Sequence, residues 1–415
     1  MVKENVMKQT EIGFLPEDWE VVKLSDIANV KTGPFGSALH EKDYVSDGVP
    51  IITVEHLGER GVLKSTYPMV SESDHKRLSN YILCKGDIVF SRVGSVDRNS
   101  LIKENEEGWL FSGRLLRIKP NRSIVNSKYL SFFFNQNSFK ARILSVAVGQ
   151  TMASLNTKIL SDILVYLPPL PEQEAIAEAL SDTDAWIESL EQLISKKRLT
   201  KQGTMQELLT AREGWEVKNI KEITNNIIDY RGVTPKKLGM EWGNGSIVAL
   251  SAGNVKKGFI DFTSECYFGS EELYKRWMRN GNPKKNDIVF TLEAPLGNVA
   301  LLPNDDKYIL SQRTILLQLS KNYNPSFIFQ ILLSSKFQNY ILGSATGSTA
   351  QGIKRQVFEK LLISVPKSLR EQTRIAAILS DMDAEMEALE AELGKARKVK
   401  QGMMQELLTG RTRLI

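Results

Sequence analysis

The feature that most constrains this chain is a stretch it contains twice. Residues 179–210 read ALSDTDAWIESLEQLISKKRLTKQGTMQELLT and residues 378–409 read ILSDMDAEMEALEAELGKARKVKQGMMQELLT, at a constant offset of 199 positions. A chain that duplicates a unit usually duplicates its architecture, and two copies are too few for a solenoid. A pair of matching helices is the reading that remains. In the first copy Ile176, Leu180, Thr183, Ile187, Leu190 and Ile194 alternate in steps of four and three; in the second Ile375, Leu379, Met382, Met386, Leu389 and Leu393 keep the same register. That is the a/d seam of a coiled coil, held for about three heptads. The expected helices start near Glu172 and Glu371 and end at Leu209 and Leu408. Each then has roughly 38 residues and a length of about 57 Å.

Charge says how the two helices pair. Glu172, Glu174, Glu178, Asp182, Asp184, Glu188 and Glu191 precede Lys196, Lys197, Arg198 and Lys201 in the first. In the second, Asp381, Asp383, Glu385, Glu387, Glu390 and Glu392 precede Lys395, Arg397, Lys398 and Lys400. Acid at the N-terminal end and base at the C-terminal end suit the helix dipole. A parallel pair would set acid against acid, whereas an antiparallel pair sets each acidic half against a basic half. Exposed pairs contribute only tenths of a kcal/mol each, but they set orientation where packing leaves it open. Antiparallel pairing is the expectation.

At 415 residues there is room for two globular domains and a connecting element. The 42% hydrophobic and 25% charged content is that of a folded, soluble protein. The net charge of +5 is mild, but the acids gather in the two helices, so the globular parts are more basic than the total suggests. Cys84 and Cys266 fit no metal spacing and are expected to be buried free thiols. His40, His56 and His75 form no HxxxH pair. No apolar run approaches membrane length and MVKENVMKQTEIGF has no signal-like core, so a cytoplasmic location is expected.

Taken in order, the chain repeats more than its helices. WEV at 19–21 and 215–217 opens each globular segment. Candidate strands in the first are Val49–Val54, Asp87–Ser91, Leu115–Lys119 and Ile163–Leu167, with a helix over Lys128–Leu144. The second gives strands at Ile247–Leu250, Asp287–Thr291, Thr314–Leu319 and Leu361–Val365, with a helix over Pro325–Leu342. GDIVF (86–90) matches NDIVF (286–290), SGR (112–114) matches SQR (311–313), and VGQT (148–151) matches TGST (346–349). LPPLPEQ (167–173) and VPKSLREQ (365–372) each launch a long helix, with the proline and acidic first turn expected there. The expected division is a first domain with an N-terminal arm at 1–170, a helix at 171–210, a second domain at 211–368, and a helix with a C-terminal tail at 369–415. The loops at 31–48 and 229–245 share almost nothing, which is the pattern of a duplicated scaffold whose loops carry different specificities. The fold class is α+β: two similar α/β domains joined by an antiparallel coiled coil with pseudo-two-fold organisation.

Catalytic signatures are missing. There is no phosphate-binding GxxxxGK, no GxGxxG opening a helix and no amino-methyltransferase D/N-P-P-Y/F. Asp305-Asp306-Lys307 follows Pro303-Asn304 and reads as a turn rather than a nuclease site. The chain is expected to have no catalytic centre.

Two divergent domains, two helices ending in KQGxMQELLT, an N-terminal GFLPEDWEVVKL and a C-terminal TGRTRL together resemble one family over essentially the whole chain. The sequence is similar to the specificity (S) subunits of type I restriction–modification systems. The resemblance implies two target-recognition domains held apart by spacer helices and reading an asymmetric bipartite sequence in double-stranded DNA. It further implies two methyltransferase (M) subunits docked on the spacer and restriction (R) subunits joining through them. S-adenosylmethionine, ATP and Mg are then expected on the partner subunits, with no cofactor and no metal bound by this chain. A spacer of about 57 Å, set against a B-DNA repeat of roughly 34 Å, fits two reading modules on the order of 1.5 turns apart at most.

For DNA contact the candidates in the first domain are Arg92, Arg98, Arg114, Gln150 and Thr151. In the second they are Arg231, Lys236, Lys237, Arg313, Thr349, Gln351, Lys354 and Arg355. Arginine reads guanine and glutamine reads adenine in bidentate fashion, while lysine mainly meets phosphate. Arg114 and Arg313, being shared, equally suit a fold-stabilising pair with a carboxylate. Two copies of one partner need two equal docking sites. The repeated Gln202, Met205, Gln206 and Glu207 with Gln401, Met404, Gln405 and Glu406 are therefore the partner-binding candidates. The competing readings are a stand-alone sequence-specific regulator, a solitary nuclease or methyltransferase, and a two-armed adaptor without a DNA role.

Overall fold

The computed structural model describes residues 6–34, 38–149, 153–311, 313–346 and 351–414, and for Glu41 the backbone alone. The chain divides into two compact units, one of residues 1–192 with 391–415 and the other of residues 193–390. Each contains one globular domain, the first part of one long helix and the last part of the other.

The two long helices are Leu170–Leu208 and Leu369–Leu407, 39 residues each. They begin two residues earlier than the sequence suggests. The cause is a glutamine that the local pattern marks only as part of a start signal. Gln173 donates to the Pro168 carbonyl at 2.8 Å and accepts from the Asn126 backbone at 2.8 Å. Gln372 donates to Pro366 at 2.9 Å and accepts from Asn324 at 2.8 Å. Each therefore ties the entering chain and a domain loop to the first helical turn, giving partners to backbone groups that would otherwise be orphaned.

Pairing is antiparallel within each unit. In the first, Lys400 meets Asp184 at 2.7 Å and Arg397 meets Glu191 at 2.8 Å. In the second, Lys201 meets Asp383, Lys197 meets Glu385 at 2.6 Å and Arg198 meets Glu390 at 2.5 Å. Falling numbers on one helix meet rising numbers on the other, and the Lys–Asp and Arg–Glu pairs recur at the offset of 199. Ile176, Leu180, Thr183, Ile187, Leu190 and Ile194 are all buried, as are Ile375 and Leu379. Met382, Met386, Leu389 and Leu393 are half-buried. The seam and the charge pattern are thus the features that fix the pairing.

The first domain is built on an antiparallel sheet in the order Asn99–Leu101, Ile88–Ser91, Leu115–Pro120, Ala28–Thr32. A smaller sheet has the order Leu110–Phe111, Val49–Ile52, Met69–Val70, Tyr44–Val45. The second domain repeats the main sheet as Thr224–Asp229, Thr314–Leu319, Ile288–Thr291, Val299–Leu301. Its smaller sheet has the order Tyr267–Gly269, Ile247–Leu250, Tyr308–Leu310. Phe90, Leu116, Ile118, Phe133 and Phe134 form the first core together with Ile176 and Leu180 of one long helix and Leu407 and Leu408 of the other. Phe290, Ile315, Leu317, Phe327 and Phe358 do the same in the second, with Ile375 and Leu379. Each domain is therefore anchored on the helix pair of its own unit by apolar burial, the main driving force here.

Two expected helices are each broken in two. Lys128–Leu144 is in fact Ser127–Phe134 and Asn137–Val146, and Pro325–Leu342 is Pro325–Leu333 and Ser335–Gly343. Polar side chains make the break. The Asn135 amide donates to Ser131 O at 3.1 Å and Glu59 O at 3.3 Å, while Ser334 Oγ donates to Ile331 O and caps Phe337 N. Such side chains compete with the helical ladder and favour caps.

The strand openings at 19–21 and 215–217 share a glutamate anchor, fully buried in the first unit and part-exposed in the second. Trp19 Nε1 donates to Glu172 Oε2 at 2.9 Å, and Arg413 Nε meets Glu172 Oε1 at 2.6 Å. Arg413 also holds Asp18 at 2.6 Å. The second unit repeats the group with Trp215 and Arg212 on Glu371, at 3.3 and 2.9 Å.

Candidate nucleic-acid interface

In both domains the loops that follow the main sheet converge on one sheet end. In the first, Arg92 N donates to Arg114 O at 2.9 Å and Leu155 N donates to Arg92 O at 2.8 Å. In the second, Leu292 N donates to Arg313 O at 3.0 Å and Ile353 N donates to Leu292 O at 2.9 Å. The matched bridges Val93–Ser154 and Glu293–Gly352 extend the correspondence. Arg114 and Arg313, which close SGR and SQR, therefore meet the segments that follow VGQT and TGST at equivalent places, although they lie far apart in sequence.

Close approach in the first domain needs Gly33, since a Cβ there would lie 2.1 Å from the Ser112 carbonyl oxygen. Beside it the Arg92 guanidinium donates to Thr32 Oγ1 and Gly113 O, each at 3.3 Å. Arg114 is exposed. Arg98 has a different job: it donates to Leu57 O in the Leu57–Val62 hairpin. Asn298, at the matching position, donates to Val255 O of the corresponding hairpin at 2.7 Å. This duplicated tether accounts for Arg98 without any DNA. Gln150 and Thr151 lie outside the described residues, as does Thr349.

The second sheet end brings Arg231, Arg313, Lys354 and Arg355 together. Asp229, whose side chain is 10% exposed, takes Arg231 Nη2 at 2.8 Å and lies 3.8 Å from Arg355 Nη1. Arg355 also pairs with Glu359 at 2.6 Å. Burial pushes the Asp229 carboxyl up, but hydrogen bonds and charge from Arg231 outweigh it and hold the group below the usual aspartate range. Arg231 is held up in turn, chiefly by the same hydrogen bonds. Both arginines stay partly exposed, so the acid fixes their direction without hiding them. Arg313, Gln351 and Lys354 are exposed. Neither Arg114 nor Arg313 lies within ion-pair distance of a described carboxylate, although Arg114 is close enough to Glu55 to help lower its carboxyl. Lys236 and Lys237 are exposed on the turn Pro235–Leu238, and Lys237 Nζ donates to Gly232 O at 2.6 Å.

Two features escaped sequence reasoning. Ala294 and Arg313 have φ values of 40° and 70°, a backbone region that non-glycine residues seldom adopt. Glu293, next to Ala294, is exposed at the centre of the group. A search for basic and amide side chains passes over a carboxylate.

On the helices, Gln202, Gln206, Glu207, Gln401, Gln405 and Glu406 are exposed, and Glu406 lies 3.8 Å from Arg411. Met205 and Met404 are half-buried against the domain cores, so their contribution to an outer face is partial. Gly203 and Gly402 sit exposed mid-helix, with nothing within 4 Å of an added Cβ. In the first unit, Gln401, Met404 and Gln405 line an open cleft of about 1330 Å³ that faces the Leu57–Val62 hairpin. Cys84 and Cys266 are free and half-buried, and burial pushes the Cys266 thiol up. Among the described residues no group of three or more His, Cys, Asp or Glu is placed to hold a metal, and no helix is long and apolar enough to cross a membrane.

Comparison with known proteins bears on this geometry. The sequence profile described as the type I restriction modification DNA specificity domain matches residues 16–197 and again 212–396. A putative type I restriction enzyme MjaX specificity subunit from Methanocaldococcus jannaschii is 29% identical, over 99% of this chain and 98% of the relative. The MjaVIII specificity subunit from the same organism is 25% identical, over 99% and 97%. The crystal structure of a type I restriction–modification S subunit from M. genitalium shares the fold, with a TM-score of 0.60 at 14% identity over 94% of this chain and 96% of that one. With the profile matched once on each half of the sequence, the chain belongs to the type I restriction–modification DNA specificity family.

Proposed function

We propose that this chain is the DNA-recognition subunit of a type I restriction–modification complex. Each domain presents its sheet end to one short segment of an asymmetric, two-part duplex target. The observation that carries the reading is the duplication of a sheet end whose framework is shared and whose exposed side chains differ. A shared framework sets both domains to the same task, and different side chains at matched places read different bases. Lys236, Lys237 and Lys354 meet phosphate, while Arg92, Arg114, Arg231, Arg313 and Arg355 are the candidates for base edges or phosphate.

The helix pair is the spacer and the docking surface. Gln202, Gln206 and Glu207 on one helix and Gln401, Gln405 and Glu406 on the other present the same exposed residues twice, which suits two copies of one methyltransferase subunit. Restriction subunits join through those. This chain supplies recognition and no chemistry; S-adenosylmethionine, ATP and Mg belong to the partners. The test is co-purification with the methyltransferase subunit after charge reversal at Glu207 and Glu406, alongside footprinting of the chain alone. Loss of co-purification with retained folding supports the docking face. Retained co-purification rules out these residues as the docking face, whereas an unaltered chain that does not co-purify yet gives tight sequence-specific footprints alone favours a stand-alone regulator.

A further inference from the structure

The two sheet ends differ at one matched position in a way that charge alone does not explain. Val93, half-buried, bridges Ser154 in the first domain, while Glu293, exposed, bridges Gly352 in the second. The Glu293 side chain makes no ion pair or hydrogen bond with a described residue. Its neighbours Arg313 and Lys354 are exposed, and Arg231 is close enough to feel its charge. Phosphates repel a carboxylate on such a surface, so its place there is explained either by the charge of Arg231 or by a hydrogen-bond donor on a base edge, and the two explanations make different predictions.

The backbone fixes the point from which this side chain leaves the chain. Thr291 Oγ1 donates to Pro295 O at 2.6 Å and accepts from Asn298 N at 2.9 Å, closing the turn on which Glu293 stands. Ala294 adopts φ 40°, where the first domain has Gly94 at φ 84°. Non-glycine residues persist in that region when the surroundings over-determine them, and they cluster at functional sites. Arg313, across the Leu292–Arg313 hydrogen bond, is a second such residue at φ 70°. Gly352 completes the arrangement: a Cβ there would lie 3.1 Å from Glu293 Cβ, a tight contact at the place where the first domain carries Ser154.

We propose that Glu293 is a specificity-determining residue that reads cytosine in the DNA segment bound by the second domain. In the major groove cytosine offers only the N4 amino donor, which a carboxylate accepts. Adenine sets the N7 acceptor beside its N6 amino group and repels a carboxylate, and guanine and thymine present acceptors. Glutamine carries both an acceptor and a donor and suits adenine. The inference rests on the reading that this sheet end faces DNA.

The experiment uses the chain assembled with its methyltransferase subunits and a set of duplexes in which each base pair of the target is varied in turn. Wild type should prefer C·G at one position of the second segment by on the order of 10- to 100-fold, and Glu293→Gln should turn that preference toward A·T. Preference in the first segment should be unchanged, and so should melting of the protein, since Glu293 is exposed. If Glu293→Gln instead raises affinity equally for every duplex, the carboxylate only balances Arg231 and the proposal is wrong. A second segment without any C·G preference overturns it too. Failure of the underlying reading looks different: the assembled wild-type complex then shows no sequence preference in either segment.

Discussion

Replacing Arg413 with methionine tests the packing account most sharply. The Arg413 side chain is 19% exposed and that of Glu172 is 0% exposed. Arg413→Met leaves the Glu172 carboxylate with Trp19 Nε1 as its remaining hydrogen-bond donor, at 2.9 Å. Breaking a buried ion pair by removing one partner costs about 3–5 kcal/mol, because the other charge stays uncompensated. The surviving indole bond, and the exposure of the Asp18 pair that goes with it, put the expected cost near the lower end, about 3 kcal/mol. For a unit of about 200 residues that lowers the melting temperature by about 6–12 °C. The second unit supplies the comparison. Arg212 and Glu371 make the same pair, but their side chains are 47% and 29% exposed. Arg212→Met should cost about 1 kcal/mol or less. Scanning calorimetry of the full chain, read for each unit by hydrogen exchange in the strands at 20–23 and 215–219, separates the two effects. The double change Glu172→Gln with Arg413→Met should recover part of the loss by removing the buried charge. Equal losses for Arg413→Met and Arg212→Met, or no recovery in the double variant, would refute the reasoning.

Other outcomes follow from the same geometry. Lys400 and Asp184 are 14% and 15% exposed, so reversing either charge alone should destabilise by about 1–3 kcal/mol and reversing both should restore most of it, as a double-mutant cycle in urea would report. Asp229 has a lowered folded pKa, so its stabilising pair with Arg231 is complete above the ordinary aspartate value of about 3.9 and is lost as pH falls through the lower folded value. Asp229→Asn should therefore flatten the acid limb of the second unit's stability profile below about pH 4, measured by denaturant titration. Gly203→Ala and Gly402→Ala meet open space and should each raise helix stability by about 1 kcal/mol, yet weaken co-purification with the methyltransferase subunit if that partner packs on the notch. Lys236→Ala and Lys237→Ala should each reduce the salt slope of DNA binding by about 0.9, the value for one neutralised phosphate, without changing the target.

The helix pair was legible because its signals are long and doubled: a seam of period 3.5 and an acid-to-base gradient, each read independently in two copies. Strand positions were legible from GDIVF and NDIVF, whose apolar residues Ile88–Phe90 and Ile288–Phe290 are fully buried. The helix breaks at Asn135 and Ser334 were not, because the apolar pattern runs on through them and only the folded partners show what the polar side chains bind. Arg98 read as a DNA contact because a basic loop residue invites that reading; its target, the Leu57 carbonyl, is far away in sequence. Gln173 and Gln372 read as mere start signals for the same reason. Glu293 was passed over because only the bridge to Gly352 places it among the arginines.

Mapping methylated adenines in a genome that carries this chain and its methyltransferase partner would test the central claim most directly. Two dissimilar readers on one frame predict a single non-palindromic motif made of two specific segments with a fixed run of unspecified pairs between them. A palindromic motif, an uninterrupted one, or a methylation pattern unchanged when this chain is deleted would contradict it.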